Sequence, residues 1–139
     1  MKHRIVIAAL AVGLAASASA EKQPISLDCT TSSGDATGLR LCTELRDLIA
    51  ASPRYREVSH GAKEFHWALH VISLAVDGAP GLSAQAVVFT ADSADGLGYY
   101  LSGYVYTTGQ SRVKDQAQTI LAEIDGDVNT ATKSAGVAQ

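Results

Sequence analysis

The sequence predicts an α+β domain: an antiparallel sheet of three long strands and one or two short ones, with two amphipathic helices packed on one face. Three observations indicate this fold. The segment 65–108 contains the only Trp, both Phe and four of the five Tyr residues, so a small domain has to build its core there. Turn-forming clusters divide that segment into three strand-like stretches. Apolar residues at helical spacing lie before it and after it.

Residues 1–20 have the composition of a secretory signal peptide. A basic start at 2–4 precedes an apolar run over 5–16 and a small-residue exit at 18–20. The apolar run is shorter than the ~20 residues that a membrane-spanning helix needs, and no later stretch reaches that length without charges. We therefore predict cleavage after residue 20, no transmembrane span in the mature chain, and a product that is periplasmic or secreted.

The charge balance bears on the kind of partner. The formal net charge is −3, and loss of Lys2 and Arg4 with the signal peptide makes the mature chain more acidic. Nucleic-acid phosphates call for clustered Lys and Arg, so this composition argues against a nucleic-acid partner. The remaining length suits a single domain, which we place at 21–126.

Cys29 and Cys42 are the only cysteines. An even count in an exported chain predicts a disulfide, because the compartment is oxidising. In the chain-entropy model such a loop stabilises the fold by roughly 3 kcal/mol. A redox pair would favour a closer Cys-x-x-Cys spacing, and a metal site would need further ligands beside these two cysteines.

The first helix is predicted over 36–51, after a turn cluster at 32–35 that supplies its N-cap. Its apolar stripe consists of Leu41, Cys42, Leu45, Leu48 and Ile49. Ser52-Pro53 ends it, since proline has no amide to donate and the residue before proline avoids the α region. A short strand is predicted at 54–59, and 24–28 is either a short edge strand or an extended arm.

The segment 65–76 fits two patterns. As a helix it would place His66 and His70 one turn apart on a polar stripe; as a strand it would separate them by about 13 Å along one face. We favour the strand, because β-branched and aromatic residues are dense and a turn cluster and a second strand-like stretch follow.

Two further strands, 82–91 and 99–108, complete the predicted meander. A closing helix follows Gly109, with Gly126 as its stop. The tail at 127–139 offers little to bury and is predicted to be disordered.

This order of elements resembles the N-terminal domain of TolB-type proteins. The resemblance rests on the helix ending in Ser52-Pro53-Arg54-Tyr55 and on the closing helix after Gly109. It implies helices covering one side of a short sheet. It includes no specific motif, so it assigns no functional residue.

The third strand suggests a binding surface. Strand alternation places Tyr100, Tyr104 and Tyr106 on one face, and the tyrosines point outward if Leu101 and Val105 face the helices. Exposed tyrosines offer rigid, amphipathic contact area to protein or saccharide partners. Alternatively, cross-strand tyrosine pairs stabilise the open face of the sheet.

The leading hypothesis is a non-enzymatic periplasmic or secreted binding or assembly module that uses this Tyr face or a sheet edge. We expect an envelope protein or a saccharide as its partner; the oligomeric state stays open. No catalytic motif and no cofactor motif stands out. The alternative is a small metal-binding protein that uses His66 and His70 with a third ligand nearby in sequence, which could be Glu64, His60 or Asp77.

Overall fold

A computed structural model describes residues 21–136, which form one sheet of five strands and two helices. The predicted signal peptide, residues 1–20, and the end of the chain, residues 137–139, lie outside the described residues. The elements are β1 Gln23–Thr31, α1 Ala36–Ala51, β2 Tyr55–Glu57, β3 His66–Ala75, β4 Leu82–Asp92, β5 Gly98–Gly109 and α2 Val113–Gly136. A short 3₁₀ turn, Gln110–Arg112, leads into α2.

The sheet is mixed, in the order β2-β1-β3-β4-β5. β1 runs parallel to both β2 and β3, whereas β3, β4 and β5 form the predicted antiparallel meander. The prediction of a wholly antiparallel sheet is therefore wrong in its first half. The reason is α1, which returns the chain to the end of the sheet where β1 begins. The next strand, β2, therefore runs in the same direction as β1. Consequently β1 lies inside the sheet and is neither an edge strand nor an arm.

The strand prediction for 65–76 is confirmed, and the helical alternative is wrong. β3 pairs along its length with β4 and over most of it with β1. Its odd-numbered side chains face the helices, and they include Trp67, which stacks on Phe89 of β4 with a ring-centroid distance of 5.8 Å. Aromatic and β-branched residues thus form the sheet layer of the core.

The helix layer covers one face of the sheet, as predicted. α1 buries most of its predicted stripe, and the predicted disulfide is present: Cys29 of β1 is bonded to Cys42 of α1, with 6.2 Å between their Cα atoms. Ser52 adopts an extended conformation and ends the helix. The bond therefore joins the first strand to the helix that crosses over it.

Residues 127–136, predicted as part of a disordered tail, continue α2. Val128 is fully buried four residues after Ile124, so the apolar stripe runs past Gly126. Tyr55 also donates a hydrogen bond of 2.5 Å to Asp125, and Arg54 donates one of 2.8 Å to Asn129. These contacts hold the second half of α2 against the residues that follow α1. The helix therefore continues past Gly126.

Asp35 joins α1 to the sheet through a buried network of hydrogen bonds. Its carboxylate accepts from the Gly38 amide at 2.8 Å, which caps the helix, from Ser73 of β3 at 2.6 Å, and from Ser83 of β4. Burial raises the pKa of this carboxyl, but the three hydrogen bonds to the charged form outweigh it, so the pKa lies below its ordinary value of 3.8. Asp35 is 4% exposed and is charged in the folded chain.

We expect Asp35→Asn to lower the free energy of unfolding by about 1–2 kcal/mol at neutral pH, since Asn still caps the helix but lacks the charge that accepts these bonds. Because the folded-state pKa is depressed, the stabilisation by Asp35 is complete above pH 3.8 and is lost as the pH falls through the folded-state value. Urea unfolding from pH 7 to pH 2 measures the difference between the two chains. A difference that stays constant over this range would contradict the assignment.

Gly38 packs against the same network. A Cβ at this position would lie 2.2 Å from Ser73 Oγ and 2.3 Å from Asp35 Oδ2. We therefore expect Gly38→Ala to destabilise the chain by about 2 kcal/mol, because both side chains are buried and have no room to shift. Thermal unfolding followed by circular dichroism provides the measurement.

Gly126 is the matched control for the helical Gly-to-Ala change. It is exposed in the middle of α2, and nothing lies within 4 Å of the Cβ that alanine would add. Gly126→Ala should raise the free energy of unfolding by about 0.5–1 kcal/mol, since alanine loses less backbone entropy in a helix. A destabilised Gly126→Ala chain would show that α2 does not continue through this position.

Candidate functional site

A β-bulge in β5 separates the tyrosines that strand alternation places together. Phe89 pairs with Ser102 but the next residue of β4, Thr90, pairs with Tyr100, so Leu101 is an extra residue in β5. The extra residue reverses the alternation. Tyr100 therefore lies on the face away from the helices, whereas Tyr104 and Tyr106 lie on the helix face. The prediction that all three share one outward face is wrong.

Tyr104 and Tyr106 contact α2. Tyr104 donates a hydrogen bond of 2.8 Å to Asp127, Tyr106 donates to Glu123, and the two rings stack with centroids 6.1 Å apart. Ser102 donates to the same Asp127 oxygen as Tyr104, at 2.5 Å. The hydrogen bond with Ser102 lowers the pKa of the Tyr104 phenol, but burial and the Asp127 carboxylate outweigh it and raise that pKa.

These contacts give the two tyrosines a role within the fold. Burial, and then the nearby charge of Asp127, raise the pKa of Glu123. The phenols of Tyr104 and Tyr106 donate hydrogen bonds to half-buried carboxylates of α2. These bonds hold α2 against the edge strand of the sheet. The binding role of Tyr104 and Tyr106 stays a prediction, and the surface available for it is smaller than expected.

The face of the sheet away from the helices, here called the open face, is divided in composition. Its β1 side is polar, with Asp28 and Thr30 exposed. Its β5 side is apolar: Val105 is 82% exposed and Tyr100 is 69% exposed. One cross-strand row contains Ile72, Ala86 and Val105, with the small Ala86 between two larger side chains. In this row, exposed apolar side chains of β3 and β5 therefore lie on either side of Ala86.

β5 is also an edge of the sheet, since it is hydrogen-bonded to β4 alone in the strand order. Its residues, 98–109, include no charged residue and no proline. The opposite edge, β2, is three residues long and carries Arg56 and Glu57. The long edge thus lacks the charges and proline with which natural sheets protect their edges, although the bulge at Leu101 interrupts it once.

His66 and His70, the alternative metal pair, are separated on β3. Both side chains are on the open face, but four strand residues put them about 13 Å apart. His66 is buried; its ring Nδ1 donates to the Glu64 carbonyl at 2.9 Å, and its Nε2 lies 3.9 Å from Asp92 Oδ2. The two histidines therefore form no shared site.

His70 instead meets Asp28 and His60. Its Nδ1 lies 3.6 Å from Asp28 Oδ2, and its ring centroid lies 5.6 Å from that of His60, edge to face. The sequence does not predict this cluster; it offers His60 only as one of three possible third ligands for the His66 and His70 pair. The sequence gives no sign that Asp28 lies near His70, because only the parallel register of β1 and β3 places the two residues opposite each other.

No protein-family model matches the chain, and no curated protein matches it. Among solved structures, a PelC variant dodecamer from Paraburkholderia phytofirmans is similar at 13% identity and a TM-score of 0.48, over 76% of this chain and 87% of that chain. A minor lipoprotein from Acinetobacter baumannii is similar at 18% identity and a TM-score of 0.38, over 78% and 94%.

Likeness at these TM-scores carries no information on function. The family models likewise add no support to the resemblance in element order to the TolB-type domain. Within residues 21–136, no helix combines the length and the hydropathy that crossing a membrane requires.

Proposed function

We propose that this chain is a non-enzymatic, extracytoplasmic assembly module that associates with a second copy of itself through β5. The observation that carries the proposal is the coincidence of two features on one strand. β5 is a long, uncharged sheet edge, and its central open-face residue, Val105, is almost fully exposed. The Cys29–Cys42 disulfide supports a location in an oxidising compartment.

The edge supplies hydrogen-bonding groups for association. An unpaired edge strand presents a row of backbone N–H and C=O groups that another strand satisfies by extending the sheet. After the bulge at Leu101, the run 102–109 is regularly paired with β4, so its other side is straight enough to accept a partner strand.

A second copy is the occupant that the composition of β5 favours. When two identical strands pair antiparallel around a two-fold axis, the residue on the axis faces its own copy, and each other residue faces the one equally far on the other side of the axis. A charged residue on the axis would therefore face a like charge, and β5 carries no charged residue at any position. An axis at Val105 places this residue opposite itself on the open face and places Tyr104 opposite Tyr106 of the partner subunit on the helix face.

This arrangement also buries exposed apolar surface. The two Val105 side chains would lie within about 5 Å of each other between their Cβ atoms. Tyr100 lies across Gly103 on the same face, since a Cβ at Gly103 would be 3.2 Å from its hydroxyl oxygen, and it adds to the same surface. Tyr104 and Tyr106 keep their hydrogen bonds to α2, so association would require no rearrangement of the core.

The test is Val105→Lys, followed by sedimentation equilibrium over a range of concentrations. We expect the wild-type chain to dimerise and the variant to dimerise at least about tenfold more weakly, because two lysines would face each other at the axis. Leu39→Lys is the matched control: Leu39 is an exposed leucine on α1, away from β5, and this variant should associate like the wild type.

Circular dichroism establishes that each variant is folded. A wild-type chain that remains monomeric at about 100 µM would overturn self-association and leave a different protein or a saccharide as the partner. A Val105→Lys chain that dimerises like the wild type would show that association uses another surface.

A further inference from the structure

Three potential metal ligands converge at the polar side of the open face. One nitrogen from each of His60 and His70 and one carboxylate oxygen of Asp28 all lie within 4.8 Å of one another. The cluster is separate from β5, and neither Tyr104 nor Tyr106 contributes to it.

The fold brings these residues together by two devices. Parallel pairing of β1 and β3 sets Asp28 directly opposite His70, so the two are held by the backbone ladder. His60 comes from the connection between β2 and β3, in a turn closed by a hydrogen bond from the Ala62 amide to the Ser59 carbonyl at 3.1 Å. Gly61 adopts a φ of +82° there, which a glycine accommodates without strain.

We propose that Asp28, His60 and His70 bind a divalent transition-metal ion of the kind that prefers imidazole, such as Zn²⁺ or Cu²⁺. Two imidazoles and one carboxylate suit these ions, whereas Ca²⁺ and Mg²⁺ take oxygen ligands. Ligand atoms bound to zinc at about 2.1 Å with tetrahedral angles are about 3.4 Å apart. The 3.6 Å between His70 Nδ1 and Asp28 Oδ2 is close to that separation.

Closing the site requires only a small movement of His60. The three ligand atoms already lie within 4.8 Å of one another, so the His60 atom has to approach the other two by no more than about 1.4 Å to reach the tetrahedral separation. His60 lies on an exposed turn, whereas the other two ligands lie on paired strands. Three protein ligands at an exposed position leave a fourth coordination position for water or an exchanging ligand, as in open zinc sites. The cluster is therefore suited to reversible uptake of an ion.

Stability alone does not account for the cluster. A solvent-accessible ion pair such as that between His70 and Asp28 contributes little to the stability of a fold. Convergence of a third potential ligand on this pair adds little to the fold. Three converging ligand atoms are, however, the arrangement that a metal ion needs.

The test is metal titration of the purified chain without an affinity tag. Zn²⁺ is titrated by calorimetry in competition with a chelator of known affinity, and Co²⁺ is titrated by its visible absorption. We expect one equivalent of each ion and Co²⁺ bands typical of four or five ligands. His60→Ala, His70→Ala and Asp28→Asn should each weaken Zn²⁺ binding by at least about tenfold, since even the loss of an outer-shell partner of a ligand costs about that much.

Asp77→Asn is the matched control for Asp28→Asn, since Asp77 is an exposed carboxylate in the turn after β3 and outside the cluster. It should bind like the wild type. All four positions are at least partly exposed, so the variants should fold, which circular dichroism checks. A wild-type chain that binds no stoichiometric Zn²⁺ would overturn the proposal, as would binding that survives the loss of both His60 and His70.

Discussion

The fold depends on one buried acceptor, the carboxylate of Asp35. It caps the first turn of α1 through the Gly38 amide and accepts hydrogen bonds from the hydroxyls of Ser73 on β3 and Ser83 on β4. Removing a charge from water is costly unless hydrogen bonds compensate it, and here three do so. Because one group bonds to the helix and to both strands, it fixes the N-terminal end of α1 on the sheet.

The position of α1 determines how the chain enters the sheet. α1 carries the chain from the end of β1 back to the start of β2, so β1 runs parallel to β2 and β3. The Cys29–Cys42 bond joins β1 to the same helix. α1 and α2 pack together on one face of the sheet. Neither of them covers the open face. The cross-strand pair of Asp28 and His70 is a direct consequence of this parallel register.

The sequence correctly predicts features that follow from composition or from contiguous residues. It misses features that depend on which strands pair and in which register. The helix over 36–51, the strands of the meander and the disulfide each follow from a contiguous pattern or from composition. The place of β1 inside the sheet depends on strands that are distant in sequence. The bulge at Leu101 adds one residue to β5, which alternation cannot reveal, and it moves Tyr104 and Tyr106 to the helix face. The buried Val128 likewise shows tertiary packing prevailing over the stop signal of Gly126.

The two proposed sites share the open face but act independently. His70 lies on β3, with β4 between it and the edge strand β5. If two copies pair through β5, the two β3 strands are five strand spacings apart, or about 24 Å. Two ions that act as one centre lie about 4 Å apart, so the paired sheet would carry two separate mononuclear sites. Metal binding is therefore expected in the monomer and in the dimer alike, and a loss of self-association would leave the ligands of the ion in place.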